Sequence, residues 1–170
     1  MQKYFWTSIF LILFVLAADV ATKWWVLSLT GLPVPLTAPH HLAWPPFMKF
    51  FEVNSFINIV LTFNDGVSFS FLSGSKLFNS WVLIAATVGF TLYLMKLLYD
   101  SKDGYDALGF SLIIGGAIGN IIDRLRFGAV VDFIDVHWGG YHWPAFNVAD
   151  SAIVLGVAVI IFKLMFKHDR

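Results

Sequence analysis

The sequence predicts an all-α polytopic membrane protein, with four transmembrane helices and a small strand-rich extracytoplasmic element. Three observations carry this reading. Hydrophobic residues make up 58% of the 170, and the mean hydropathy of +0.75 is far too high for a soluble domain of this size. Four apolar runs, Tyr4–Leu29, Leu77–Tyr99, Ala107–Ile122 and Ala149–Phe166, come near the roughly 20 residues needed to cross a ~30 Å hydrocarbon core. Between the first two runs the prolines Pro33, Pro35, Pro39, Pro45 and Pro46 break any helix, so the chain leaves the bilayer there.

The first run begins like a secretory signal peptide, with Lys3, apolar Phe5–Ala18 and small residues at Ala17, Ala18 and Ala21. Its apolarity continues through Trp24–Leu29, which makes it a permanent span. Asp19 and Lys23 lie inside it at i, i+4, acid first. They read either as a mutually neutralising pair near the interface or as functional groups, since charge within a span is costly.

Gly31–Phe63 is the extracytoplasmic excursion, which extends to about residue 76. Its aromatics and the alternation in Val53–Phe63 suggest strands lying at the lipid surface. Asn64-Asp65-Gly66 is a turn signal, and Asn64 by itself reads as an Asx-turn residue. Leu77–Tyr99 is scaffold, with Trp81 near the outer interface and Lys96 near the inner, and Asp100–Asp106 is a short solvated loop.

In the third run Gly115 and Gly119 give a smooth face for a neighbouring helix. Asn120, Asp123 and Arg124 then share one face, and Asp123, next to Arg124, reads as half of an ion pair. Ala129–Val136 is rich in β-branched residues, which implies an extended segment carrying Asp132. The last helix starts near Asn147; with Asn147 as N-cap, Asp150 takes the acid position of a capping box. Because the third and fourth runs are short, their polar ends belong at the interface or inside the bundle.

Lysine and arginine in the flanks set the orientation. One side holds Lys3, Lys96, Lys102, Lys163, Lys167 and Arg170; the other holds Lys49, Lys76, Arg124 and Arg126, with Lys23 near it. Lys23 and Arg124 have polar neighbours of their own, and discounting them places both termini in the cytoplasm. At 1.5 Å per residue Asp19 lies about 22 Å and Asp123 about 24 Å along their helices. Asp19, Lys23, Asn120, Asp123, Arg124, Asp132, Asn147 and Asp150 therefore share one layer near the outer interface.

A formal net charge of zero argues against nucleic acid, and the absence of cysteine removes disulfides and thiolate chemistry. His137 and His142 stand five apart without a third evident ligand, so neither a metal nor a cofactor is expected. There is no P-loop, HExxH or GxSxG pattern, and the serines of Gly66–Ser68 and Ser73–Ser75 have no identifiable base. Carboxylates remain. Two aspartates close together in a low-dielectric site cannot both ionise, and such a pair can activate water and protonate a leaving amine. Taken singly, Asp132 also reads as an exposed loop acid and Asp150 as a helix cap.

Asp19-x-x-x-Lys23, Asn64-x-Gly66-x-x-Phe69, GGAIGNIIDR ending at Arg124, GAVVDF around Asp132 and PAFNVADS around Asp150 together closely resemble bacterial lipoprotein signal peptidase, signal peptidase II. The motifs are dispersed from the first helix to the start of the fourth. The resemblance implies an aspartic endopeptidase of the bacterial inner membrane. It would remove the signal peptide from diacylglyceryl-modified prolipoproteins, cutting before the lipidated cysteine. It implies Asp132 and Asp150 as the catalytic pair and Asp19, Lys23, Asn64, Asn120, Arg124 and Asn147 around the pocket. Asp123 would then be structural, as Gly115 and Gly119 are by their packing face, and the resemblance implies membrane lipid and the peptide antibiotic globomycin as partners. Val20 stands where the family commonly has glutamine, and Ser68 where a small apolar residue is usual.

Two further expectations concern mechanism. Asp150, at a helix start, is the charged member of the pair and Asp132, in an apolar run, the protonated one. The excursion is a moving cover that admits a lipid-bearing substrate sideways. A carrier or channel would also place acids in spans, but the sequence has no inverted repeat. A purely structural membrane protein would explain Gly115 and Gly119 and leave Asp132 and Asp150 without a purpose.

Overall fold

A computed structural model of the chain describes residues 3–31, 47–66 and 76–166, with backbone alone at 76–80. The prolines of the excursion, Trp44, Ser68, Phe69, Ser73, Ser75, Lys167, His168 and Arg170 lie outside the described residues, as does most of the expected cover.

Among the described residues four helices are long and apolar enough to cross a membrane: α1 (Phe5–Ser28), α2 (Lys76–Asp100), α3 (Gly104–Phe127) and α4 (Val148–Phe166). The helix α3 is the hub, packed against α1, α2 and α4. It outruns the apolar stretch Ala107–Ile122 at both ends. Asp103 caps its start by accepting the Tyr105 N–H at 2.8 Å. It stops at Gly128, whose φ of 75° turns its N–H back onto the Arg124 carbonyl at 3.0 Å. The polar turn Asn120–Arg124 stays helical because its side chains find partners in the bundle instead of meeting lipid.

Small residues set how closely α3 approaches its neighbours. A Cβ on Gly115 would lie 2.9 Å from the Val15 Cβ, and one on Gly119 would lie 2.5 Å from Asp19 Oδ2. Both glycines therefore face α1. Gly116, which the spacing argument did not single out, faces α4, where a Cβ would collide with the Ala149 carbonyl oxygen.

Strands β1 (Phe47–Asn54), β2 (Ile57–Asn64), β3 (Val130–Trp138) and β4 (Tyr141–His142) form one antiparallel sheet in the order β1-β2-β3-β4. The alternation expected over Val53–Phe63 is interrupted. Asn54 Oδ1 accepts the Phe56 N–H at 2.8 Å, and this Asx turn folds the stretch into a hairpin whose first arm reaches back to Phe47. Within β3 the Phe133 and Ile134 N–H groups both donate to the Phe146 carbonyl, at 3.0 and 2.8 Å. That double donation is the mark of a classic bulge, which turns two successive side chains to one face.

Val26 and Leu27 of α1, Ile59 and Leu61 of β2, and Phe127, Val131 and Phe133 form one buried cluster. It bolts the sheet to the ends of α1 and α3. The strand carrying Asp132 is thereby held against the helix carrying Asn120.

Candidate active site

The four residues that open α4 fold as the capping-box pattern requires. Asn147 Oδ1 accepts the Asp150 N–H at 2.8 Å, and Asp150 Oδ2 accepts the Asn147 N–H at 3.3 Å. The Asn147 side chain is fully buried, so its amide nitrogen needs an acceptor as well. It donates to Asp132 Oδ1 at 2.7 Å. Helix capping thus uses one end of this side chain and Asp132 the other.

Asn120 makes a second link. Its Nδ2 donates to Asp150 Oδ1 at 2.8 Å, while its Oδ1 faces Asn147 Nδ2 and Lys23 Nζ, both at 3.4 Å. Asn64 does for Asp132 what Asn120 does for Asp150. It forms the expected Asx turn with Gly66 N–H at 3.0 Å, and its side chain also hydrogen-bonds Asp132.

Asp132 is 1% exposed. Burial and the charge of nearby Asp150 push its carboxyl from the ordinary value up to about 7, against the pull of hydrogen bonds from Asn64 and Asn147 and the charge of Lys23. Neutral pH is therefore where this proton is in play.

Beneath the two acids lies a buried ionic strut. Lys23 Nζ sits 2.7 Å from Asp19 Oδ2 and 2.8 Å from Asp123 Oδ2. The cation of Asp123 is thus Lys23 and not Arg124, as the chain order suggested. Successive residues on a helix point about 100° apart, so adjacent acid and base cannot face each other. Arg124 instead reaches the Asn120 carbonyl at 3.4 Å and lies within electrostatic range of Asp150, Asp123 and Asp132.

Both strut acids also accept a backbone N–H, and the choice of partner is informative. Asp19 Oδ1 takes that of Ala149 at 2.9 Å, and Asp123 Oδ2 takes that of Val131 at 3.0 Å. Each is the residue next to one of the two central aspartates. Lys23 thereby ties together the two backbone segments that carry Asp132 and Asp150.

Asp19, Lys23, Asn64, Asn120, Asp123, Arg124, Asp132, Asn147 and Asp150 come together here, from α1, β2, α3, β3 and α4. A second polar group lies on the sheet, where sequence reasoning missed Asp135 and Asn58 and weighed His142 only as a metal ligand; Asn58 Nδ2 donates to Asp135 Oδ2 at 2.7 Å. Among the described residues no group of three or more His, Asp or Glu side chains is arranged to hold a metal ion.

Two apposed carboxyls, one with a proton exchangeable at neutral pH, held by asparagines at the mouth of a helical bundle, make an arrangement suited to water-mediated peptide hydrolysis. Comparison with known proteins places the chain among peptidases. Residues 11–166 match the family model described as signal peptidase (SPase) II. A lipoprotein signal peptidase of Polynucleobacter necessarius is 41% identical over 151 residues, covering 87% of this chain and 82% of its own. One from Oleidesulfovibrio alaskensis is 40% identical over 156 residues, covering 91% and 90%. Among solved structures, a bacterial membrane enzyme determined by the in meso method at 1.9 Å superposes with a TM-score of 0.75, at 28% identity, over 98% of this chain and 97% of its own. The protein is thus a multi-pass membrane protease, and the chain belongs to the signal peptidase II family.

Proposed function

We propose that this protein is an intramembrane aspartic endopeptidase of the bacterial inner membrane, built as one domain. It removes the signal peptide from diacylglyceryl-modified prolipoproteins by cutting before the lipidated cysteine. The observation that carries this reading is the pairing of Asp132, with its carboxyl near 7, and Asp150 through the shared Asn147 side chain.

In the proposed cycle Asp150 is the base and Asp132 the acid. Asp150 takes a proton from water as the oxygen attacks the scissile carbonyl carbon, and Asp132 gives its proton to the carbonyl oxygen. A neutral tetrahedral diol results. Its collapse returns a proton to Asp132 while Asp150 passes its own to the departing amine. The products are the carboxyl end of the signal peptide and the free amine of the lipid-bearing cysteine. Asn64 and Asn147 hold the acid, Asn120 holds the base, and Asp19, Lys23 and Asp123 set the backbone beneath them. Arg124 offsets the negative charge of the pair. Asp150, at the start of α4, also has the positive end of the helix dipole to favour its anion.

The lysine and arginine distribution supports cytoplasmic termini with the acids near the outer face of the membrane. Membrane lipid borders the site, and globomycin is a ligand expected to occupy it. The deciding assay gives the purified protein a lipid-modified prolipoprotein and its unlipidated form. Cleavage of the first alone is expected; equal cleavage of both, or of neither, overturns the reading.

A further inference from the structure

The bulge at Phe133 and Ile134 changes which way the rest of β3 points. Without it, Asp135 would face away from Asp132. With it, Asp135 returns to the Asp132 face, and the cross-strand partners agree. Asn64 hydrogen-bonds Asp132, and Asn58 stands opposite Asp135 across the two strands and hydrogen-bonds it, while Ile59, Leu61, Val131 and Phe133 pack together in the buried cluster on the other face. A polar strip thus runs along the sheet from the aspartate pair to Asp135 and His142.

The strip has a buried base and an exposed tip. Asn58 is 2% exposed; its Nδ2 is used by Asp135, and its Oδ1 is sealed from solvent without a partner among the described residues. Burial raises the Asp135 carboxyl, but hydrogen bonds from Asn58 and His142 more than offset that and hold it below the ordinary value. His142 Nδ1 lies 2.8 and 3.0 Å from the two Asp135 oxygens, and its side chain is 56% exposed. An ionised carboxylate only accepts, so Nδ1 carries the proton, which leaves Nε2 as the acceptor whenever the ring is neutral. Buried polarity of this kind is expensive when it serves packing alone.

We propose that His142, aimed by Asp135 and Asn58, is a specificity-determining residue that accepts a backbone N–H from the mature segment of the substrate, just beyond the lipidated cysteine. This rests on the assignment of Asp132 and Asp150 as the cleaving pair. Asp135 is three residues along β3, about 10 Å from Asp132 at ~3.3 Å per residue. An extended peptide leaving the scissile bond covers that distance in about three residues. His142 is the contact; Asp135 is a positioning residue acting through it.

The test compares two lipidated prolipoprotein substrates, one carrying five mature residues after the cysteine and one ending at the cysteine amide. Wild-type enzyme should favour the longer. In His142→Ala that preference should fall by about three- to tenfold, the value of one hydrogen bond, through KM and not kcat. His142→Gln should restore part of it. An unchanged preference, or a loss confined to kcat, overturns the proposal. An independent arm keeps the native His142: a photo-crosslinking residue placed third after the cysteine, bound to the Asp132→Asn enzyme. Adducts should map to residues 135–143, and adducts found only elsewhere overturn it. If Asp132→Asn instead cleaves the substrate, the catalytic assignment fails, a result separate from either arm.

Discussion

Asn147 Nδ2 lies 2.7 Å from Asp132 Oδ1 while Asn147 Oδ1 accepts the Asp150 N–H at 2.8 Å. One side chain therefore sets the distance between the two acids and starts α4. The two duties can be separated. Aspartate caps helices as well as asparagine does, so Asn147→Asp should keep the thermal midpoint in detergent within a few degrees. It would place a third carboxylate against Asp132, and turnover should fall at least about 100-fold. Asn147→Ala should lose the cap too, at about 1 kcal/mol. Equal activity in wild type and Asn147→Asp would show that the link is incidental.

Asp132→Asn and Asp150→Asn should each abolish cleavage while the protein remains folded in the membrane. Neither amide can take up or release the proton the cycle needs. Circular dichroism and the thermal midpoint in detergent report the fold, and turnover of lipidated substrate reports the chemistry. Wild-type rates in either variant would remove that residue from the mechanism.

The carboxyl of Asp132, raised to about 7, sets the direction of the pH dependence. The proposed acid must be protonated, so kcat/KM should decline as pH rises through about 7, approaching tenfold per unit beyond it. Because the acids are coupled, the midpoint belongs to the pair. The sign for stability is the same. The folded state holds this proton more tightly than the unfolded chain, so its contribution is complete below the unfolded value of 3.8 and is lost as pH climbs through about 7. A rate that rises steadily from pH 6 to 9 would contradict a protonated Asp132.

Removing the cation from the strut should be worse than removing the strut. Lys23→Met leaves Asp19 and Asp123, 0% and 3% exposed, facing each other without compensation. The expected loss is about 3–5 kcal/mol. Adding Asp19→Asn and Asp123→Asn to it should recover much of that, because the amide oxygens still accept from Ala149 and Val131. Denaturant unfolding of the three forms checks the order.

The orientation can be read from a chain that has no native cysteine. A membrane-impermeant thiol reagent added outside should label Lys49→Cys and leave Ser101→Cys untouched. The opposite pattern would invert the topology.

The spans were legible because lipid demands apolarity over a fixed length, and the start of α4 because a capping box is local chemistry. Asp132 and Asp150 were marked as candidates by their apolar run and their helix start, and paired by the family motifs. The partner of Asp123 was obscured by its neighbour in the chain, although helix geometry already forbade that pairing. The β1–β2 hairpin was hidden in a run of aromatics, since Asn54 signals a turn only weakly. Asp135 escaped notice altogether. Its direction depends on one bulge, and two N–H groups sharing the Phe146 carbonyl leave no trace in periodicity.

The Asp19–Lys23–Asp123 strut has an evolutionary consequence. Its bonds to Ala149 and Val131 knit the bundle and aim the acids with the same atoms, so selection for robustness and selection for turnover act on one set of contacts there. Little drift is affordable in that layer. Adaptation to heat or to a different bilayer has room at the opposite end, where Lys163 and Asp106 join α4 to α3 at 2.8 Å, remote from the acids. Stabilising changes should accumulate at that end of the molecule, leaving the layer of the strut nearly invariant in chemistry while the rest of the helices vary.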